Sequence, residues 1–291
     1  MDTNDFNNIN ASIFSNKILH LHFTDKSFTG EQIKALAEAL AINTSLHSLI
    51  FDNTPLGNDG ASLIAEALYN NQKIPLHTLH VIEARITQIG GGELAKLLGT
   101  HIRLRDFSLA GNSLGDGAII EIANKLEKNF ELEKLDLMNT RFGDGAAFFL
   151  AKALAQNKVL LSIDLSYNFI SDKGAIHISQ AFASNQSVQE IFIKENQIGA
   201  IGLEALQKAL EGSSILNMSI MPTLEGDKKK WEKEADRIIE KIDSINCMLV
   251  RKRQIFYSFP GATDKLLNAS EKKLLQESNE IHVFENDMCT P

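Results

Sequence analysis

The sequence predicts an α/β solenoid: a right-handed horseshoe with a parallel sheet lining its hollow, helices outside, and a helical extension at the C-terminus. Three observations predict it. Apolar residues recur with one spacing across residues 18–221, a second apolar set follows each of them at a fixed distance, and the period near 28 residues accommodates one strand and one helix per unit.

The first apolar set follows L-x-x-L-x-L-x-x-N-x-L. Leu104, Phe107, Leu109, Asn112 and Leu114 fit it, as do Leu132, Leu135, Leu137, Thr140 and Phe142, and Leu160, Ile163, Leu165, Asn168 and Ile170. The units begin at residues 18, 46, 76, 104, 132, 160, 188 and 215, seven of them full and the last a remnant. Alternation within each unit marks a short strand with one buried face. The second set, Leu40, Leu68, Leu98, Leu126, Leu154, Phe182 and Leu210, lies on helices, with small residues three positions earlier at Ala37, Ala65, Ala95, Ala123, Ala151 and Ser179. Spacing of three and four is one helix face, and small residues let that face lie close on the strands. The turns carry Asp59-Gly60, Asp116-Gly117 and Asp144-Gly145, an acid suited to a helix N-terminus and a glycine suited to tight backbone. The step between the second and third units is two residues longer, and the spacing places the excess after the helix, in "YNNQKIP". Strands spaced about 4.8 Å apart beside helices that need about 8–10 Å force the stack to curve, with the strands on the inside.

Residues 1–17 form an N-terminal segment with neither a basic leader nor an apolar run. Beyond the repeats, residues 222–256 carry Trp231, Ala235, Ile238, Ile242, Ile245 and Leu249 at helical spacing, an amphipathic helix expected to cap the last repeat. A dimerising or partner-binding arm is the other use of such a stripe. Arg251-Lys252-Arg253 reads as a solvated helix end, and residues 257–291 as a polar tail with one short helix.

Charge and composition exclude several function classes. A net charge of −8 repels a phosphate backbone, so no nucleic-acid partner is expected. No stretch approaches the ~20 apolar residues of a membrane span. Two cysteines, Cys247 and Cys289, make neither a disulfide framework nor a metal cluster, which fits a reducing, cytoplasmic compartment.

The unit "LEKLDLMNTRFGDGAAFFLAKALAQN" resembles the ribonuclease-inhibitor-like class of leucine-rich repeats, and the resemblance covers residues 18 to about 220. Relatives of that class include ribonuclease inhibitors, sensor regions of cytosolic immune receptors, GTPase-activating proteins for Ran, and repeat proteins that intracellular bacteria deliver into host cells. The resemblance implies a non-catalytic scaffold that binds a protein partner. The Asn, Lys and Ile usage further resembles the bacterial effectors, which would act in the host cytosol. The alternative it implies is GTPase activation of the Ran type, with Asn112, Asn139 and Arg141 as the loop residues to consider; that family's long acidic tail is missing. Where the asparagine position is Lys26, Thr54, Ala84 or Thr140, looser backbone bonding is expected.

Side chains that alternate with the buried leucines face the hollow. Ile50, Asp52, His80, Ile82, Asp106, Asp136, Met138, Asp164, Tyr167, Glu190, Phe192 and Lys194 are taken as the candidate partner-binding set of the concave face. Ser108, Ala110 and Ser166 are also counted on this face. Across it five acids (Asp52, Asp106, Asp136, Asp164, Glu190) oppose two lysines (Lys134, Lys194), which suits a partner with a basic surface, bound by a monomeric chain. Asp136 and Asp164 occupy equivalent positions on adjacent strands, but an open sheet is not expected to raise a carboxylate pKa by burial, so catalysis is not assigned to them. His20 and His22 share a face while His80 lies two strands away, so neither a metal nor a cofactor site is assigned.

Overall fold

The computed structural model describes residues 3–100, 102–220 and 240–252. Within them one parallel sheet runs in chain order through β1 (His20–Thr24), β2 (Ser48–Asp52), β3 (Thr78–Ile82), β4 (Asp106–Ser108), β5 (Lys134–Asp136), β6 (Ser162–Asp164), β7 (Glu190–Phe192) and β8 (Asn217–Ser219). Its register is the sequence period itself: His20, Ser48, Thr78, Asp106, Lys134, Ser162, Glu190 and Asn217 stand in one row. Between the strands run α2 (Gly30–Ile42), α3 (Gly57–Asn70), α4 (Gln88–Ala95), α5 (Gly115–Leu126), α6 (Asp144–Gln156), α7 (Asp172–Phe182) and α8 (Ala200–Leu210), after a first helix α1 (Thr3–Phe14).

One continuous apolar core fills the space between sheet and helices. Strand leucines and helix leucines meet there, and the small position is closed: Ala95 is fully buried and Ala123 is 2% exposed. A larger side chain at that position would push its helix off the sheet.

Buried amides join one repeat to the next. Asn168 donates to Leu137 O at 2.9 Å and Leu165 O at 3.0 Å while its Oδ1 accepts from Thr140 N at 3.0 Å. Asn112 and Asn196 act alike. Where threonine replaces asparagine the bonding is thinned rather than lost. Thr140 Oγ1 donates to Leu137 O at 2.8 Å, and Thr54 Oγ1 accepts from Lys26 N at 3.2 Å. A hydroxyl has one proton to give where an amide has two.

A second asparagine ladder, not anticipated from the sequence, runs along the helix C-termini at Asn43, Asn71, Asn129, Asn157 and Asn185. Asn157 donates to Leu126 O and Asn129 O, both at 2.9 Å, and accepts from Val159 N at 2.9 Å and Leu160 N at 2.8 Å. Each such side chain thus satisfies the last carbonyls of the preceding repeat's helix and the first amides of its own strand approach. The position falls on His101 in the third repeat, and there α4 ends in a 3-10 turn, Lys96–Gly99.

At the helix N-termini the acids act across repeats as well. The sequence pattern assigns each acid to its own helix, but Asp144 Oδ1 accepts from Ser171 N at 2.8 Å and Gly174 N at 2.9 Å, one repeat onward. Asp172 bonds Gly199 N and Gly202 N in the same way, both at 2.8 Å. In the second repeat Asn58, not Asp59, fills the role, accepting from Thr87 N and Gly90 N. This explains the glycines: a Cβ on Gly174 would stand 2.6 Å from Asp144 Oδ1.

The long step in the repeat is where the spacing places it. Asn43 and Asn71 cap α2 and α3 equivalently, yet β2 begins at residue 48 and β3 at residue 78, so the two added residues lie in 72–77. Ile74 of that loop turns inward, 6% exposed.

Both ends of the stack are covered. On α1, Phe6 and Ile13 are buried, Phe6 packs edge-on against Phe28 at 5.9 Å, and Ile13 O accepts from Asn43 Nδ2 at 2.8 Å. The signal was the spacing of Phe6, Ile9 and Ile13 within an otherwise polar segment. At the other end, helical residues 240–252 bury Ile245 and Leu249 in the core, and Gln207 Nε2 donates to Ser244 Oγ at 2.6 Å. Trp231, Ala235, Ile238 and the tail lie outside the described residues. Lys252 is not a solvated end. Its Nζ donates to Leu210 O at 2.8 Å and Ser213 O at 2.6 Å, the counterparts of Leu40 O and Asn43 O, which Asn71 binds one ladder step up. Burial there lowers the Lys252 pKa.

Two predictions follow from this stitching. Asn157→Ala strands buried backbone groups in two repeats and should lower stability by about 3 kcal/mol in urea melts; a midpoint equal to that of the exposed Lys158→Ala control would refute the ladder's role. A chain ended after Pro222 loses the cover over Ile215, Met218 and Ile220 and should aggregate or melt early. If it stays soluble with an unchanged melting temperature, the C-terminal helix is not a cap.

Candidate functional site

The inner face of the sheet presents the alternate residues of each strand, and every expected member of the candidate set is at least partly accessible. Three neighbours are not. Ser108 (2%), Ala110 (1%) and Ser166 (0%) are buried although the alternation counted them as facing the hollow. They are small, and neighbouring groups close over them: Ser108 Oγ donates to Asp136 Oδ2 at 2.8 Å.

Hydrogen bonds hold the face in a fixed arrangement. His80 Nε2 lies 2.9 Å from Asp106 Oδ1, pairing β3 with β4. Asp136 Oδ1 accepts from Met138 N at 3.0 Å, and Asp164 Oδ1 from Ser166 N at 2.8 Å, so each aspartate braces the end of its own strand. Asp136 and Asp164 are paired in the sheet register, as are Asp164 and Phe192.

One expectation fails at this point. The open sheet does raise a carboxylate pKa: burial pushes Asp164 upward, and the Asp136 charge adds to it, against the lowering effect of the Ser166 amide and Lys194. Flanking side chains desolvate the strand even though the sheet itself is open.

The histidines divide differently from the expectation. His22 Nε2 contacts Thr24 Oγ1 at 3.0 Å and His80 is held by Asp106, so the three inner histidines do not converge. Among the described residues no group of three or more His, Cys, Asp or Glu is placed to hold a metal ion. A separate row was missed: the His47 and His77 rings stand 5.0 Å apart, with His20 6.4 Å from His47. Each of His47 and His77 sits one residue before its strand, a position the alternation rule does not score. Burial lowers the His77 pKa, and His47, Arg105 and His20 lower it further.

Beyond the strands the chain turns through a left-handed residue in each repeat: Asp25, Asn53, Glu83, Gly111, Asn139, Tyr167 and Glu195, with φ between 43° and 71°. Tyr167 therefore lies on the rim rather than in the hollow, and is 48% exposed. Phe169, two residues on, is 53% exposed. Of the loop residues considered for GTPase activation, Asn112 is 2% exposed and its amide is consumed by the buried ladder, whereas Asn139 and Arg141 are accessible.

The raised Asp164 pKa has a definite sign in stability. Its folded pKa exceeds the ordinary aspartate value of 3.8, so the ionised form is disfavoured in the fold and stability falls as pH rises through the folded pKa. Asp164→Asn should raise the melting temperature at pH 7, with the gain shrinking as pH approaches 4. A gain independent of pH would show that burial of the charge is not its source.

Residues 112–240 match the family described as the TMOD/LMOD leucine-rich domain. NACHT, LRR and PYD domains-containing protein 5 of Mus musculus is 33% identical over 97 residues, which is 33% of this chain and only 8% of that protein's length. Among solved structures, leiomodin-1 actin-binding site 2 is similar at 20% identity and a TM-score of 0.34, covering 48% of this chain and 80% of that one. A tropomodulin C-terminal domain of Caenorhabditis elegans is similar at 17% identity and a TM-score of 0.35, covering 48% and 81%. Among the described residues no helix is long and apolar enough to cross a membrane. The in-register parallel sheet, the helix returning after each strand and the asparagine ladders together make the architecture a leucine-rich-repeat solenoid.

Proposed function

We propose that the chain is a non-catalytic scaffold that binds a protein partner through the hollow of the sheet. The observation that carries this reading is the composition of a rigid, accessible face. Carboxylates Asp52, Asp106, Asp136, Asp164 and Glu190 surround half-buried Ile50, Ile82, Met138 and Phe192, with only Lys134 and Lys194 to oppose them. Apolar side chains fixed in a charged surround supply affinity when a partner desolvates them, and the charges steer encounter. A partner surface with an excess of lysine and arginine is the complement.

The GTPase-activation reading keeps two of its three loop residues. Asn112 is locked in the ladder, which leaves Asn139 and Arg141 as the accessible loop residues. A GTP-hydrolysis assay against a panel of small GTPases should show no acceleration, and a clear rate increase would replace the scaffold reading.

Affinity capture from a eukaryotic lysate, followed by kinetics with the captured protein, tests the face directly. Phe192→Ala should speed dissociation and weaken binding by about 1–3 kcal/mol. Asp136→Asn with Asp164→Asn should chiefly slow association and flatten its salt dependence. Lys152→Ala, on the outer side of α6, should change neither rate. Unchanged binding in all the concave variants would remove the hollow from the interface.

A further inference from the structure

The rim residue Tyr167 sits where no folding requirement puts an aromatic. The repeat forces a positive φ at this position, and its other occupants are Asp25, Asn53, Glu83, Gly111, Asn139 and Glu195. Glycine and asparagine adopt that conformation readily, whereas a bulky ring is disfavoured in it. At φ 58° Tyr167 is in the left-handed region, and it leaves about half of its surface, 48%, exposed. Phe169 is a second exposed aromatic, without the left-handed backbone. Its counterparts in the other repeats are Ser27, Pro55, Arg85, Ser113, Arg141 and Gln197, and it alone is aromatic, at 53% exposed.

The rim around this pair carries both signs, with Glu195 beside Tyr167 and Arg141 beside Phe169 in their rows. Tyr167 lies between Asn139 and Glu195 in the rim row, its amide donating to Lys194 O at 2.9 Å. The strand ends nearest that stretch of rim carry Asp136 and Asp164, and neither has an ion-pair partner within 4.0 Å among the described residues. An exposed aromatic face attracts a cation, and a planar guanidinium stacks on it while still offering N–H groups to carboxylates at its edge. An ammonium can do the first but not the stacking.

We propose that Tyr167 and Phe169 form the arginine-receiving part of the interaction surface, stacking guanidinium groups of a protein partner that the adjacent carboxylates draw in. This rests on the scaffold reading and adds to it the chemistry of the partner: an arginine-bearing segment that crosses the rim beside β6 and β7.

The test uses the full chain and three fluorescent probes, nona-arginine, nona-lysine and nona-glutamate peptides. Nona-arginine should bind about twofold more tightly than nona-lysine, because both cations meet the rings but only the guanidinium stacks on them, and nona-glutamate should not bind. Tyr167→Gly with Phe169→Ser should abolish the arginine preference and leave weaker, equal binding of both cationic peptides. Tyr167→Gly alone should hold or raise the melting temperature, because glycine relieves the left-handed strain; a fall would show that the ring serves the fold and would overturn the proposal. Equal binding of arginine and lysine by the unaltered chain overturns it too, and if that binding is lost in the Asp136→Asn, Asp164→Asn variant, the acidic hollow stands without the aromatic rim. Preference for nona-glutamate would overturn both readings.

Discussion

Each repeat of this solenoid bends its chain twice, and at both bends it leaves buried backbone groups that it cannot satisfy by itself. The neighbouring repeat satisfies them. Asn168 and its equivalents serve the bend from strand to helix, Asn157 and its equivalents the bend from helix to strand, and Asp144 and Asp172 cap the helix that follows their own. A buried amide or carbonyl without a partner is expensive, so the stack holds its register through these bonds as much as through its leucines. No repeat is complete alone. The apolar core supplies most of the driving force for stacking, and the ladders decide which residue stands opposite which.

That division explains what could be read from the amino-acid sequence. Apolar periodicity depends on pattern alone, so the strands, the helices, the small position at Ala95 and Ala123 and the added loop residues at 72–77 were all legible. Reciprocal polar contacts were less so. The asparagines at 43, 71, 129, 157 and 185 recur with the period, but their role appears only when the preceding repeat's carbonyls are in place. The acids were read as caps of their own helices because capping is ordinarily local; here the tight stacking brings the next helix's amides nearer. Helix α1 escaped notice because three apolar residues in a polar segment gain meaning only beside an exposed repeat edge.

The same physics shapes the candidate site. Alternation placed the right residues on the inner face, yet it could not tell that Ser108 and Ser166 are closed over or that Asp164 is desolvated, since both depend on the size of side chains one strand away. Nor could it distinguish Tyr167 from the strand residues beside it. The left-handed turn that each repeat takes at that point is a property of the backbone, and it changes the meaning of an aromatic from a core residue to a displayed one. Fixed strands with individually varied rim and face residues separate architecture from recognition, so that surface chemistry can change while the register does not.

The Lys252 contact bears on why the array ends where it does. In polymer terms each ladder asparagine is a propagating unit: it gives protons to the repeat before it and presents acceptor oxygens to the strand that follows. An ammonium has protons to give and no oxygen to present. By occupying Leu210 O and Ser213 O it satisfies the last unit and passes nothing onward. With α1 as initiator and Lys252 as chain terminator, the described residues give the solenoid two dissimilar ends at which the repeating bond stops.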